Sequence, residues 1–184
     1  KEEILERINN NTITDILNKI EVKAGDVVMV KAGTIHAIGA GVFICEIQQN
    51  SNCTYRMYDY DRRDKFGNPR ELHVKKALDV VDNHKYIKDN KTEVVIARNE
   101  HFTEERLVQC KYFEVYKYDV NDEAKITVDE ASFVSVLFIN GSGTIETDDY
   151  EKTMEFKAGD SFFVSAGLRS IIIKGQATMV VTRV

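Results

Sequence analysis

The sequence predicts a mainly β protein: two jelly-roll-type β-barrels with a few helices, the first barrel incomplete within the chain. Three observations carry that prediction. The stretch KAGDVVMVKAGTIHAI, from Lys23 to Ile38, aligns without a gap with KAGDSFFVSAGLRSII, from Lys157 to Ile172. From Val22 onward, short runs rich in Val, Ile, Phe and Tyr alternate with Gly-containing turns, the pattern of strands. Helical periodicity is confined to the first residues and to one stretch in the middle.

The elements follow in order. Ile13, Ile16, Leu17 and Ile20 fall at i, i+3, i+4 and i+7 and predict an amphipathic helix. Asn9-Asn10-Asn11 separates it from a shorter helix before it. Strands are predicted at 26–30, 42–49 and 54–60. The polar DRRDKFGNPREL that follows, holding Pro69, reads as a solvated loop. Val74, Ala77, Leu78 and Val81 form a second helical stripe. After a Lys/Asn/Asp-rich linker near 83–92 come SFVSVLFI, GTIETD, EFKAGDSFFV, RSIIIKG and ATMVVTRV, too short and too β-branched for helices. The core of this second barrel is expected to include Phe133, Val134, Val136, Phe138, Phe162, Val164, Ile172 and Val180.

Two domains are expected, 1–91 and 92–184. The first has three strands after a helix, which would leave sheet edges unpaired and an apolar face uncovered. The expectation is therefore that the chain is the C-terminal portion of a longer polypeptide; strands borrowed from another chain would meet the same deficit.

The chain has 184 residues, is 43% hydrophobic and carries a formal net charge of −5. It contains no apolar run of about 18 residues, so no membrane partner is expected. Its basic residues are scattered, whereas a nucleic-acid footprint needs a clustered basic face, so no nucleic-acid partner is expected either. Cys45, Cys53 and Cys110 show no CxxC spacing; an odd count of this kind reads as reduced thiols of a cytoplasmic protein, buried as small apolar residues.

The repeated stretch has a recognisable form. Gly25, five residues, Lys31-Ala32-Gly33, two residues and His36 resemble the second sequence motif of the cupin superfamily, although a proline usually stands at the position of Lys31. The residues around it sharpen the likeness. AGTIHAIGAG, EIQQNSNCTYRMYDYDR and PRELHVKKALDVVD resemble the type I mannose-6-phosphate isomerases of bacteria, and the resemblance continues to the end of the chain. It implies double cupin-like barrels and a zinc enzyme that interconverts mannose 6-phosphate and fructose 6-phosphate. It also implies His36 as a zinc ligand, Arg56 as a catalytic residue and Glu46 in the sugar site. The family's other zinc ligands, a Gln-x-His pair and a glutamate, lie upstream of the matching region, so activity is expected to be absent from this chain alone. The small-molecule partner is then a sugar phosphate.

Strand alternation bears on the same residues. Ile44, Glu46 and Gln48 share one face of 42–49, and Thr54, Arg56, Tyr58 and Tyr60 share one face of 54–60. Alternation is satisfied equally by a site in which Glu46, Gln48, Arg56 and Tyr58 surround His36 and by a Glu46–Arg56 ion pair on a wet sheet face. The resemblance favours the site, with Gln48 and Tyr58 binding substrate and Glu46 either moving a proton or holding hydroxyls. His73, His84 and His101 read as surface residues, and Lys23 and Lys157 as exposed turn lysines. Where the first repeat has His36, the second has Ser170, which cannot act as a nitrogen ligand. The second barrel is thus expected to keep the fold without a metal site. A non-catalytic sugar- or metal-binding cupin module is the alternative function.

Overall fold

The computed structural model of the chain describes residues 1–51, 53–82, 84, 94–147 and 153–184. The chain divides into two units, Lys1–Lys88 and Asp89–Val184. Among the described residues no helix is long and apolar enough to cross a membrane.

The first unit opens with α1 (Glu2–Asn9), whose Glu2 and Glu3 lie in the first turn and Arg7 in the last, matching the helix dipole. Its Ile8 is buried. The asparagines end it as expected: Asn11 takes φ 56°, a left-handed conformation that asparagine tolerates better than most residues. The amphipathic helix predicted through Ile20 is a single 3-10 turn, Ile13–Ile16, and Leu17 is already extended. Only Ile13 of that stripe is buried, while Ile16 and Ile20 are exposed. Without burial of the apolar face, periodicity alone does not sustain so short a helix. The second stripe does form a helix, α2 (Val74–Val80), and buries Ala77 and the following Val81.

The strands predicted at 26–30, 42–49 and 54–60 form no ladder. Among the described residues of this unit, the one sheet pairing is the isolated bridge between Arg63 and Pro69. An extended segment becomes a strand only when a neighbour supplies N–H and C=O partners. Among the described residues none does, and Val28, Val30, Phe43 and Ile44 remain exposed. Cys45 and Cys53 lie in these segments and are exposed free thiols, and Cys110 is half-buried, so the expectation of buried cysteines does not hold.

The turn of the internal repeat recurs in three dimensions. In the first copy, Asp26 N–H donates to Lys23 O at 3.1 Å while the Asp26 carboxylate accepts from Lys23 N–H at 3.1 Å. In the second, Asp160 and Lys157 make the same two bonds at 3.1 and 2.9 Å. Gly25 and Gly159 sit at φ 91° and 90°. The Asp side chain thus locks each KAGD turn, and glycine supplies the left-handed position. Lys23 and Lys157 are exposed, as predicted.

In the second unit the described residues form an antiparallel sheet with strands β1 (Val94–Arg98), β2 (Phe102–Gln109), β3 (Glu114–Val120), β4 (Glu123–Val128), β5 (Val134–Thr147), β6 (Thr153–Lys157), β7 (Ser161–Val164) and β8 (Arg169–Arg183). The order is β1-β2-β3-β8-β5-β6, with β4 also paired to β8 and β7 to β5. β5 and β8 each read from sequence as two strands, split at Gly141–Gly143 and Gly175. They are instead single long strands paired with one another through these glycines, where a Cβ on Gly141 would lie 1.9 Å from the Gln176 carbonyl oxygen. The core is closed by Ile126, Val136, Phe138, Ile173, Met179 and Val181, all fully buried. The Phe138 ring stacks on Phe156 at 3.7 Å and meets Phe162 edge-on at 5.9 Å.

Val134, Val136, Phe138 and Val164 are buried as expected, and Phe162 packs partly against them. Phe133 is half-buried against the exposed Phe163. Ile172 and Val180 do not belong to the core: Ile171, Ile173, Met179 and Val181 do. In apolar runs such as Ile171-Ile172-Ile173, composition does not say which parity faces inward, and a one-residue shift exchanges the faces.

Candidate active site

The turn before His36 is fixed by a close backbone approach. Gly33 has φ 83°, and a Cβ there would fall 2.7 Å from the Val80 carbonyl oxygen. Its own carbonyl accepts from Asp82 N–H at 2.9 Å, which ties the turn to the residues after α2. His36 is exposed, and its Nδ1 lies 2.9 Å from the Thr34 carbonyl oxygen. A carbonyl only accepts, so Nδ1 is the donor here, and in the neutral ring this leaves the Nε2 lone pair free, as a metal ligand needs.

Arg56 is held by the start of α2. Its backbone N–H donates to His73 Nδ1 at 3.2 Å, its carbonyl accepts from His73 N–H at 2.7 Å, and its Nη1 donates to the Glu71 carbonyl oxygen at 3.1 Å. His73 is therefore scaffold and not the surface residue expected. His84 pairs with Asp82 and His101 with Asp122, so those two, though exposed, are not without partners. Both are short-range or turn-to-turn contacts that hydropathy cannot signal.

Tyr58 is half-buried, edge-to-face with Tyr60 at 5.0 Å. It lines a cavity of about 320 Å³ with Ile8, Asp59, Arg62, Arg70 and Leu72. The loop beside it is not wholly solvated. Asp59 is buried and takes a two-point contact from Arg70, with Nε to Oδ2 at 2.7 Å. The Arg70 guanidinium holds the Asp59 carboxyl below the usual carboxylate range, and Arg56 and Arg62 add to that field. Sequence reading missed this pair because an Arg and an Asp eleven residues apart in a polar run carry no periodic signal. Farther along the loop, the Asp64 carboxylate accepts from Phe66 and Asn68 N–H and folds the turn on itself.

Glu46 and Gln48 are exposed on the extended segment 42–49. Among the described residues no hydrogen bond or ion pair joins any two of His36, Glu46, Gln48, Arg56 and Tyr58; the Glu46–Arg56 pair is not formed. Nor does a group of three or more His, Cys, Asp or Glu able to hold a metal occur among them. His36 has the right tautomer for one ligand position, but the described donors do not make a complete zinc site. In the second unit, Ser170 is buried at the start of β8, opposite Thr127 of β4.

The family described as "Mannose-6-phosphate isomerase, cupin domain" matches residues 103–184. YvyI of Bacillus subtilis (strain 168) is 41% identical over the whole chain, and the mannose-6-phosphate isomerase ManA of the same organism is 33% identical over 99% of it. The chain spans 57% and 56% of the lengths of these two relatives. The crystal structure of the mannose 6-phosphate isomerase from Bacillus subtilis superposes over all of this chain and 57% of that one, with a TM-score of 0.88 and 38% identity. The fold is thus mainly antiparallel β of the cupin kind, with few helices. The similarity to mannose-6-phosphate isomerases thus runs the full length of the sequence in both comparisons, and the cupin domain of that family matches its residues 103–184.

Proposed function

We propose that the protein carrying this sequence interconverts mannose 6-phosphate and fructose 6-phosphate. The observation that carries this reading is the 38% identity and TM-score of 0.88 over the whole chain to a mannose 6-phosphate isomerase. The reaction moves a proton between C2 and C1 of the sugar, with a second proton passing from O2 to O1, through an enediol or enediolate. A carbon acid beside a carbonyl is very weak, so a cation aimed at the developing oxyanion is the main requirement. Arg56 is the proposed source: a planar, permanently charged fork braced by the Glu71 carbonyl, on a backbone held by His73. Glu46 is proposed to carry the proton or to hold hydroxyls, with Gln48 and Tyr58 binding the sugar.

Zinc, when bound, would orient and polarise the sugar oxygens. His36 is proposed as one ligand, the remaining donors coming from outside the described residues. The 184-residue chain alone is expected to bind zinc weakly and to turn over no mannose 6-phosphate. The second unit is read as a non-catalytic packing module, because Ser170 replaces the imidazole and is buried. The cytoplasm is its proposed compartment.

The test is a coupled isomerase assay on the gene's full product. Arg56→Ala should keep the zinc content and lose most of kcat, about 100-fold or more, because its target is charged mainly in the enediolate-like transition state. His36→Ala should lose both zinc and activity. Full turnover by Arg56→Ala, or tight stoichiometric zinc with full activity in the 184-residue chain, would overturn the assignment.

A further inference from the structure

The core-facing side of the second sheet is apolar except at one end. There β2, β3 and β8 place Arg106 opposite Tyr116, Tyr116 opposite Val181, and Arg183 opposite Glu114. Tyr116 belongs to the buried core, so the register brings Arg106 and Arg183 out on the same face, on either side of its ring. The Arg183 guanidinium lies over that ring at 5.2 Å. Its Nε is buried without a hydrogen-bond partner, so stacking, not an ion pair, fixes how the fork is turned.

The nearby carboxylates are committed elsewhere. Glu114 accepts from the Tyr116 hydroxyl at 2.5 Å and from the Gln109 amide. Glu104 accepts from the Tyr118 hydroxyl at 2.6 Å. A cluster built only for stability would pair Arg183 with its cross-strand neighbour Glu114. Instead, among the described residues, neither Arg106 nor Arg183 forms an ion pair. The register of β2 also shifts between Arg106 and Val108, an irregularity that re-aims a side chain next to a site. Burial and the Glu114 contact push the Tyr116 phenol up, and both arginines lie near enough to it to act the other way.

The geometry points to an oxyanion-binding site between Arg106 and Arg183, floored by Tyr116. The arginine forks offer terminal N–H donors with no acceptor among the described residues, the complement of a carboxylate or a phosphoryl group. The two glutamates make the cluster formally neutral, so it suits one negative charge better than two. No step of the isomerase reaction depends on it.

The test is isothermal titration of the 184-residue chain with inorganic phosphate and, separately, with acetate, at constant ionic strength balanced by chloride. One-to-one saturable binding of at least one anion is expected, and the stronger arm identifies the oxyanion. Arg106→Gln and Arg183→Gln should each weaken it about tenfold or more, while Arg169→Gln, an exposed arginine elsewhere in the unit, should not. Far-UV circular dichroism checks folding; should Arg183→Gln fail to fold, the half-buried Arg106 still decides the matter. No saturable heat with either anion, equal affinity in the wild type and Arg106→Gln, or an equal loss in Arg169→Gln would overturn the proposal.

Discussion

Replacing Phe138 by alanine removes a ring that is fully buried and lies face to face with Phe156 at 3.7 Å. Truncating a buried Phe costs about 3–5 kcal/mol, the transfer of its atoms plus the cavity left behind. The stacked pair adds about 0.5–1.5 kcal/mol beyond the area lost. Phe156 is itself buried and its sheet neighbours cannot collapse freely, so the expected loss lies at the upper end, about 4–5 kcal/mol. Phe162 touches the same ring edge-on but keeps part of its surface in water, so Phe162→Ala should cost roughly half as much, about 2 kcal/mol. Phe163, next in sequence and 71% exposed, should cost less than about 0.5 kcal/mol. The three variants are compared by urea unfolding followed by far-UV circular dichroism, at a common m-value. A cost below about 1 kcal/mol for Phe138→Ala, or equal costs for Phe162→Ala and Phe163→Ala, would mean that the register of β5 and β7 is wrong.

Two further outcomes follow from the backbone and the charges. Gly141→Ala should cost about 2–4 kcal/mol, because φ 91° and a 1.9 Å clash with the Gln176 carbonyl oxygen act together, while Gly159→Ala, at φ 90° with open space around it, should cost only about 1 kcal/mol; equal midpoint shifts in denaturant would refute the close approach of β5 and β8. Asp59 is held below its usual range by Arg70, so the pair stabilises the first unit above the unfolded carboxyl value of about 3.9 and that contribution is lost as pH falls through the folded value. Melting curves from neutral to acid pH should therefore fall more steeply in the wild type than in Arg70→Gln, and superimposable curves would rule the linkage out.

Local chemistry was readable where it acts alone. The KAGD turns, the asparagine break after α1 and the stripe of α2 each depend on residues within one turn of each other, and all three are as the sequence predicts. What depended on distant partners was not readable. Gly141 and Gly175 look like turn residues in a one-dimensional string, yet they are the points where two strands pass too close for a side chain. The parity of Ile171-Ile172-Ile173 needs β4 to define it, since Ile126 opposite Ile171 decides which face is the core. At the candidate site, the Arg56 brace is contributed by His73, seventeen residues away, and nothing in the alternation of 54–60 points to it. The extended segments at 26–30 and 42–49 had the composition of strands but lacked the neighbour that makes one.

The position of β8 has a consequence for synthesis. It is the last of the eight strands to leave the ribosome, and it alone is hydrogen-bonded to β3, β4 and β5. Until Arg169–Arg183 has emerged, β1 to β3 and β5 to β7 exist only as separate hairpins, and β4 has no ladder at all. Folding of this unit is therefore post-translational with respect to its own strands: a nascent chain stalled before Ser170 holds the apolar faces of β3, β4 and β5 open to solvent and to chaperones. The closing step joins residues far apart in sequence, the kind of contact that slows folding. A premature stop there would produce an aggregation-prone polypeptide rather than a shorter barrel.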